Sequence, residues 1–152
     1  MPMKDNISQE VAVDLAWTKE LSIGNATIDS DHKKLIDMIN RIKHEIRATN
    51  GSAISQAFKR LEDWLPTHSI NEEKIARAIH FPFEQHDLAH QHNMRELQYL
   101  RDELISKDGI WSEGAVKHFC RFLENWALEH ITKIDMPMKQ VLLEHPYDFQ
   151  PD

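Results

Sequence analysis

Apolar residues recur along this chain at alternating spacings of four and three, the pattern of helices that bury one face. Over residues 31–49 the positions are Leu35, Ile39, Ile42 and Ile46. Over 53–79 they are Ile54, Phe58, Leu61 and Leu65, then Ile75 and Ile79, with His68 and Glu72 holding the same phase between them. A third stripe, in 84–107, reads His86, His90, Asn93 or Met94, Leu97, Leu100 and Leu104. A fourth, in 113–133, reads Ala115, Phe119, Phe122 or Leu123, Trp126 and His130.

Breaks fall between the stripes. Asn50-Gly51 closes the first and Ser52 can cap the second. Pro66 lies inside the second and predicts a kink. Residues 80–83 form a connection, Asp108-Gly109 breaks the third helix, and Ser112 can cap the fourth. Residues 1–28 read as an irregular arm. Residues 136–152 read as a tail, with helical turns over 139–144 and a loose end from 146. The expected architecture is all-α: one domain built as an antiparallel up-down-up-down four-helix bundle over 29–135.

Composition narrows the function. At 152 residues the chain has the size of one domain, and only 4 Gly and 6 Pro argue against an all-β fold rich in tight turns. A net charge of −7 without a basic stripe argues against nucleic-acid binding. A single cysteine, Cys120, excludes an internal disulfide and a thiolate-based metal cluster. No leader or membrane-spanning stretch is legible, so a cytoplasmic protein without a membrane partner is expected. The abnormal number is ten histidines.

Several of those histidines occupy positions where the stripes call for Leu or Ile. His32 precedes Leu35 by three residues, His68 and Glu72 continue the second stripe, His86 and His90 begin the third, and His130 continues the fourth. Asp135 follows His130 by five. An unpaired polar group in a core costs roughly 2–7 kcal/mol by transfer. These residues must satisfy one another or bind something. The four-residue spacing of His86 and His90, and of His68 and Glu72, puts each pair on one helix face, where both can chelate one ion. Five imidazoles and two carboxylates are too many for one six-coordinate ion. They suit two ions bridged by the carboxylates, and the donor types suit iron without excluding zinc, copper, manganese or nickel. His44, His80, His92, His118 and His145 lie off the stripes or in connections and are not expected to be ligands.

The segments Ile28-Asp29-Ser30-Asp31-His32, His68-Ser69-Ile70-Asn71-Glu72, His86-Asp87-Leu88-Ala89-His90 and His130-Ile131-Thr132-Lys133-Ile134-Asp135 resemble, in order, the motifs of the hemerythrin family, in particular its bacterial single-domain branch. The resemblance spans roughly residues 17–135. It implies a non-haem di-iron centre with His86, His90 and His130 on one iron and His32 and His68 on the other. Glu72, Asp135 and an oxo or hydroxo group from solvent would bridge them, and dioxygen would be the ligand. It also implies an oxygen-binding protein rather than an enzyme, monomeric, storing oxygen or delivering it to an oxygen-consuming enzyme. Ala127 stands where the family often carries Leu, which implies a wider and wetter oxygen pocket.

Three alternatives compete. An oxygen or redox sensor would have to act through a partner protein, since no output domain fits in this length. A ferritin-like di-iron oxidase or iron-storage protein would call for two Glu-x-x-His motifs, and the sequence has none. A purely structural bundle would leave the in-phase polar residues without a purpose.

Overall fold

Asn25 starts the first long helix. Its side-chain oxygen accepts hydrogen bonds from Thr27 N and Ile28 N, two of the donors a helix start leaves without partners. The preceding Gly24 takes φ +85°, a left-handed turn that favours glycine. In the computed structural model, which describes residues 13–107 and 111–151, this helix, α1, runs Ala26–Arg47. It begins earlier than the apolar stripe suggests because the cap, not the stripe, fixes its start. Asn50 then caps α2 by accepting from Ala53 N, so Gly51 opens α2 (Gly51–Ala78) and Ser52 is not the cap. The helix runs without interruption through Pro66. The third and fourth helices are α3 (Glu84–Ser106) and α4 (Glu113–Glu129). Ser112 caps α4 through Ala115 N, as expected. The expected break at Asp108-Gly109 lies outside the described residues, as do residues 1–12 of the arm.

The described residues are helical without strands, and the four long helices form a bundle. α1 packs on α2 and α4, and α3 packs on the same two. All eight positions of the α2 stripe are buried, His68 and Glu72 among them. Where the third and fourth stripes left two choices, Asn93 and Leu123 are buried while Met94 and Phe122 are half-exposed. No helix among the described residues is long and apolar enough to cross a membrane.

Two apolar clusters result. The larger one fills the bundle between Leu35, Ile39, Phe58, Leu61, Leu97 and Phe119, among others. The smaller one gathers Ile23, Ile28, Ile75, Ile79, Met138 and Leu142 at one end. Between them along α1 lies His32, and along α2 lie His68 and Glu72. The polar residues therefore form a layer separating two apolar regions.

The chain ends differ from expectation. Residues 146–150 are not loose: Tyr147 OH donates to Asp29 Oδ2 at 2.8 Å, Ala26 N to Tyr147 O at 2.8 Å, and Asn25 Nδ2 to Phe149 O at 3.0 Å. They strap the start of α1, because buried Asp29 offers acceptors there. It also accepts from Ser22 Oγ and Ile23 N. On the far side, the arm lies along α1. Leu15 and Asn40 exchange two hydrogen bonds, and Lys33 sits 4.4 Å above the Trp17 ring. Lys43 is fully buried beneath it, paired with Glu124 and donating to Val13 O.

Asp29→Ala leaves three donors without their acceptor and is expected to lower the stability of the metal-free protein by about 2–4 kcal/mol. Tyr147→Phe removes one bond and should cost only about 1 kcal/mol. Urea unfolding followed by circular dichroism measures both.

Candidate metal centre

The seven side chains singled out on the stripes converge. Two groups of possible ligand atoms form, each with its members within 4.8 Å of one another: His32, His68, Glu72, His130 and Asp135, and Glu72, His86, His90 and Asp135. Glu72 and Asp135 belong to both. None of the other five histidines joins them.

Each carboxylate turns one oxygen to each group. Glu72 Oε1 lies 2.8 Å from His68 Nε2 and 3.6 Å from His32 Nε2, while Oε2 lies 2.7 Å from His86 Nε2 and 3.3 Å from His90 Nε2. Asp135 Oδ2 lies 2.6 Å from His32 Nε2 and 3.1 Å from His130 Nε2. Its Oδ1 lies 3.0 Å from both His86 Nε2 and His90 Nε2. All five imidazoles thus aim Nε2 inward. His130 differs from the grouping the resemblance implies: its Nε2 is 3.1 Å from His68 Nε2, which places it with His32 and His68, while its ring stacks on that of His90 at 4.9 Å.

Asp135 reaches the centre through a local change of helix type. After Glu129 the chain passes into a π-helix over His130–Asp135. On an α-helix, residues five apart are turned by about 140° and face different ways. The π turn closes i to i+5, so His130 and Asp135 face the centre together. The fourth helix therefore does not continue as α to Lys133. A 3-10 turn (Met136–Met138) and α5 (Lys139–Leu142) follow, the latter shorter than the expected 139–144.

Outer contacts fix the rings. His68 Nδ1 donates to Asp31 Oδ2 at 3.0 Å, and His130 Nδ1 to Asn93 Oδ1 at 3.0 Å. Asn93 is held by Trp126, whose Nε1 donates to the Asn93 carbonyl at 2.7 Å. Ser69 Oγ lies 3.2 Å from His90 Nδ1. Trp64 stacks on His68 at 4.9 Å with planes 8° apart, and Phe83 sits 5.1 Å from His86. Sequence reasoning assigned none of these supporting residues. Asp31 adjoins a candidate ligand, and Asn93 was one of two choices for a stripe position. Both signals were present, but the pairing depends on helix–helix contact.

Imidazoles and carboxylates in the cluster favour each other's charged forms. Burial opposes a proton on His32 and on His86, but hydrogen bonds and negative charge from Asp135 and Glu72 outweigh it and push each up to about 9. His68 is likewise held well above the usual imidazole value, against burial, by Glu72, Asp135 and Asp31. Burial, with repulsion from His68 and His90, pulls His130 down to about 4 against the attraction of Asp135. Burial works against ionising Glu72 and Asp135, yet the surrounding imidazoles hold both below the usual carboxylate range. Two buried atoms of the cluster remain unserved: the outward nitrogen His32 Nδ1, and Glu72 Oε1, which despite its closeness to His68 has no aligned hydrogen-bond partner. An acceptor left open at the middle of a nitrogen–oxygen donor set fits a cation. Ala127 is fully buried in the main core and is not among the residues lining the cleft beside the cluster.

A helical bundle with a buried His/Glu/Asp layer defines the protein as a metal-binding helical bundle. The family model described as "Hemerythrin HHE cation binding domain" matches residues 23–142, and the chain belongs to that family. It is 24% identical over 122 residues to the bacteriohemerythrin of Pseudomonas aeruginosa strain UCBPP-PA14, covering 80% of this chain and 76% of that protein. It is 22% identical over 136 residues to the bacteriohemerythrin of Stenotrophomonas maltophilia strain R551-3, covering 89% and 86%. It is 27% identical over 126 residues to a hemerythrin-like protein of Naegleria gruberi, covering 83% and 92%.

The raised histidines make metal-free stability pH-dependent. A base whose pKa rises on folding, here from 6.5 to about 9 for His32 and His86, stabilises fully below 6.5 and ceases to do so as pH passes about 9. The melting temperature of the metal-free protein should therefore fall between those limits. Metal needs neutral imidazole, so the zinc-loaded protein should gain on the metal-free one over the same interval. Calorimetry of both forms across that range checks the signs. Asn93→Ala should weaken zinc binding by about 10–100-fold by freeing His130, measured by chelator competition.

Proposed function

We propose that His32, His68, Glu72, His86, His90, His130 and Asp135 hold two non-haem iron ions, and that the protein binds dioxygen reversibly rather than catalysing a reaction. The observation that carries this reading is that Glu72 and Asp135 each give one oxygen to one histidine group and the other oxygen to the second. Two carboxylates so shared suit a pair of ions better than a single one. The family membership and the bacteriohemerythrin relatives support iron and oxygen as the metal and ligand.

Two ferrous ions and a solvent-derived bridge would supply the two electrons and the coordination site that reversible dioxygen binding requires. The chain's own part is to hold and to exclude. Asp31 and Asn93 keep the Nδ1 protons of His68 and His130 outward, so that Nε2 can ligate. The apolar clusters on either side limit water, which favours release of oxygen unchanged over its escape in reduced form. His130 lies within reach of both groups. The resemblance assigns it to the iron of His86 and His90, and its ring stacks on that of His90, although its Nε2 groups with those of His32 and His68. On this reading the bundle is antiparallel, with its helices alternating up and down. Short connections and the two neighbours of each helix support that. The protein would act as a cytoplasmic monomer that stores oxygen or supplies it to an oxygen-consuming enzyme.

The test is optical. Anaerobic, iron(II)-loaded protein should carry two irons per chain and be colourless. It should gain visible absorption on admission of oxygen and lose it on deoxygenation. Bands that form once and decay to a ferric spectrum would overturn the carrier reading in favour of sensing or oxidation, and absence of bound iron would overturn the metal assignment. Glu72→Ala should reduce iron content from two per chain to one or none, read by metal analysis.

A further inference from the structure

We infer that the cleft between α2 and α3 is the port through which small uncharged molecules, dioxygen first among them, reach the metal centre. This inference rests on the oxygen-binding reading above and names its route of entry. Elsewhere the cluster is nearly closed: the side chains of His32, Glu72 and Asp135 are fully buried, and those of His68, His86 and His130 nearly so. His90 is the most exposed of the seven, at 8%. It lies in the wall of a cleft of about 330 Å³ that also touches His68 and His130. These three rings meet at its inner end, with centroids 4.9 Å apart for His90 and His130, 5.2 Å for His68 and His130, and 5.8 Å for His68 and His90.

The walls explain the class of molecule admitted. Leu65 and Pro66 from α2 and Met94 from α3 make the lining largely apolar. Asp87 and Arg95 stand on the same helix at the cleft with opposite charge, so the entrance offers no net attraction to an ion. An uncharged diatomic loses nothing by leaving water for such a channel, whereas an ion must shed hydration. Met94, half-exposed, unbranched and flexible, is suited to yield as a molecule passes. The rival opening is larger, about 920 Å³, but of the cluster it touches only His86, and it carries Glu73, Arg77, Glu84 and Lys133. Phe81 and Phe83 stand against His86 there.

A port differs from a binding pocket in its kinetics: obstructing it slows entry and exit equally and leaves affinity unchanged. Met94→Trp should lower the oxygen association and dissociation rates of the iron-loaded protein together by about tenfold, at unchanged equilibrium affinity and iron content. Exposed Gln91→Trp, at the same cleft, repeats the test if Met94→Trp misfolds. Met94→Ala should raise both rates. Ala89→Trp, in the larger groove, should change neither. A second measurement does not depend on iron chemistry. In the full-length, zinc-loaded protein under oxygen pressure, nuclear relaxation by dissolved oxygen should be enhanced at the Met94 and Leu65 methyl groups above the level at other half-buried methyls. Uniform relaxation, or slowing by Ala89→Trp in place of the cleft variants, would overturn the port. Failure of the iron-loaded protein to bind oxygen reversibly would overturn the carrier reading and leave the relaxation result to decide the port.

Discussion

The sharing of two carboxylates among five imidazoles is the constraint on which the rest of this structure depends. Glu72 and Asp135 are fully buried, and each contacts histidines from more than one helix. A buried carboxylate without partners would cost on the order of several kcal/mol, a large share of the fold's margin of stability. Any packing of the helices must therefore bring His32 of α1, His68 of α2, His86 and His90 of α3, and His130 at the end of α4 to the same place. Apolar side chains tolerate many exchanges so long as volume and pattern are kept. The polar layer allows no comparable freedom. It fixes which helix faces which and at what height, and the two apolar clusters fill the space above and below.

Local devices serve that layer. The π turn over His130–Asp135 brings a carboxylate five residues from its histidine to the same side. Asn25 and Asp29 anchor the start of α1 one turn before His32, with the C-terminal strap tied to the same two residues. Asp31, Asn93 and Ser69 meet the outer nitrogens of three rings. A metal centre needs its ligands held within a fraction of an ångström, and rings gripped from behind keep that geometry where the ligands alone would not. The same arrangement leaves an open acceptor on Glu72 and a cluster in which metal would replace protons.

The helices and six of the seven central residues were legible in the sequence because both obey one period; Asp135, five residues beyond His130, lies off it. A histidine in phase with Leu and Ile must be buried wherever the helix packs, so the stripe located His32, His68, Glu72, His86, His90 and His130 without knowledge of their partners. The stripe carried less information about ends and changes of helix type. Helix starts were set by Asn25 and Asn50, whose capping role competes with equally plausible neighbours such as Ser52. The C-terminal strap was invisible because Pro146 to Gln150 has no periodicity, and its hold on Asp29 spans more than a hundred residues of chain.

The sequence by itself thus determined the helical class, the buried faces and the identity of six central donors, all of which follow from spacing along one helix, whereas Asp135 needed the π turn. Only the tertiary structure decided that Glu72 and Asp135 each serve both histidine groups, that His130 lies against both His68 and His90, that Asp31 and Asn93 grip the outer ring nitrogens, and that a cleft opens between α2 and α3. Those features join residues on different helices. Their geometry is set by helix contact and by the need to pair most of the buried polar atoms at once, which no single stretch of chain encodes.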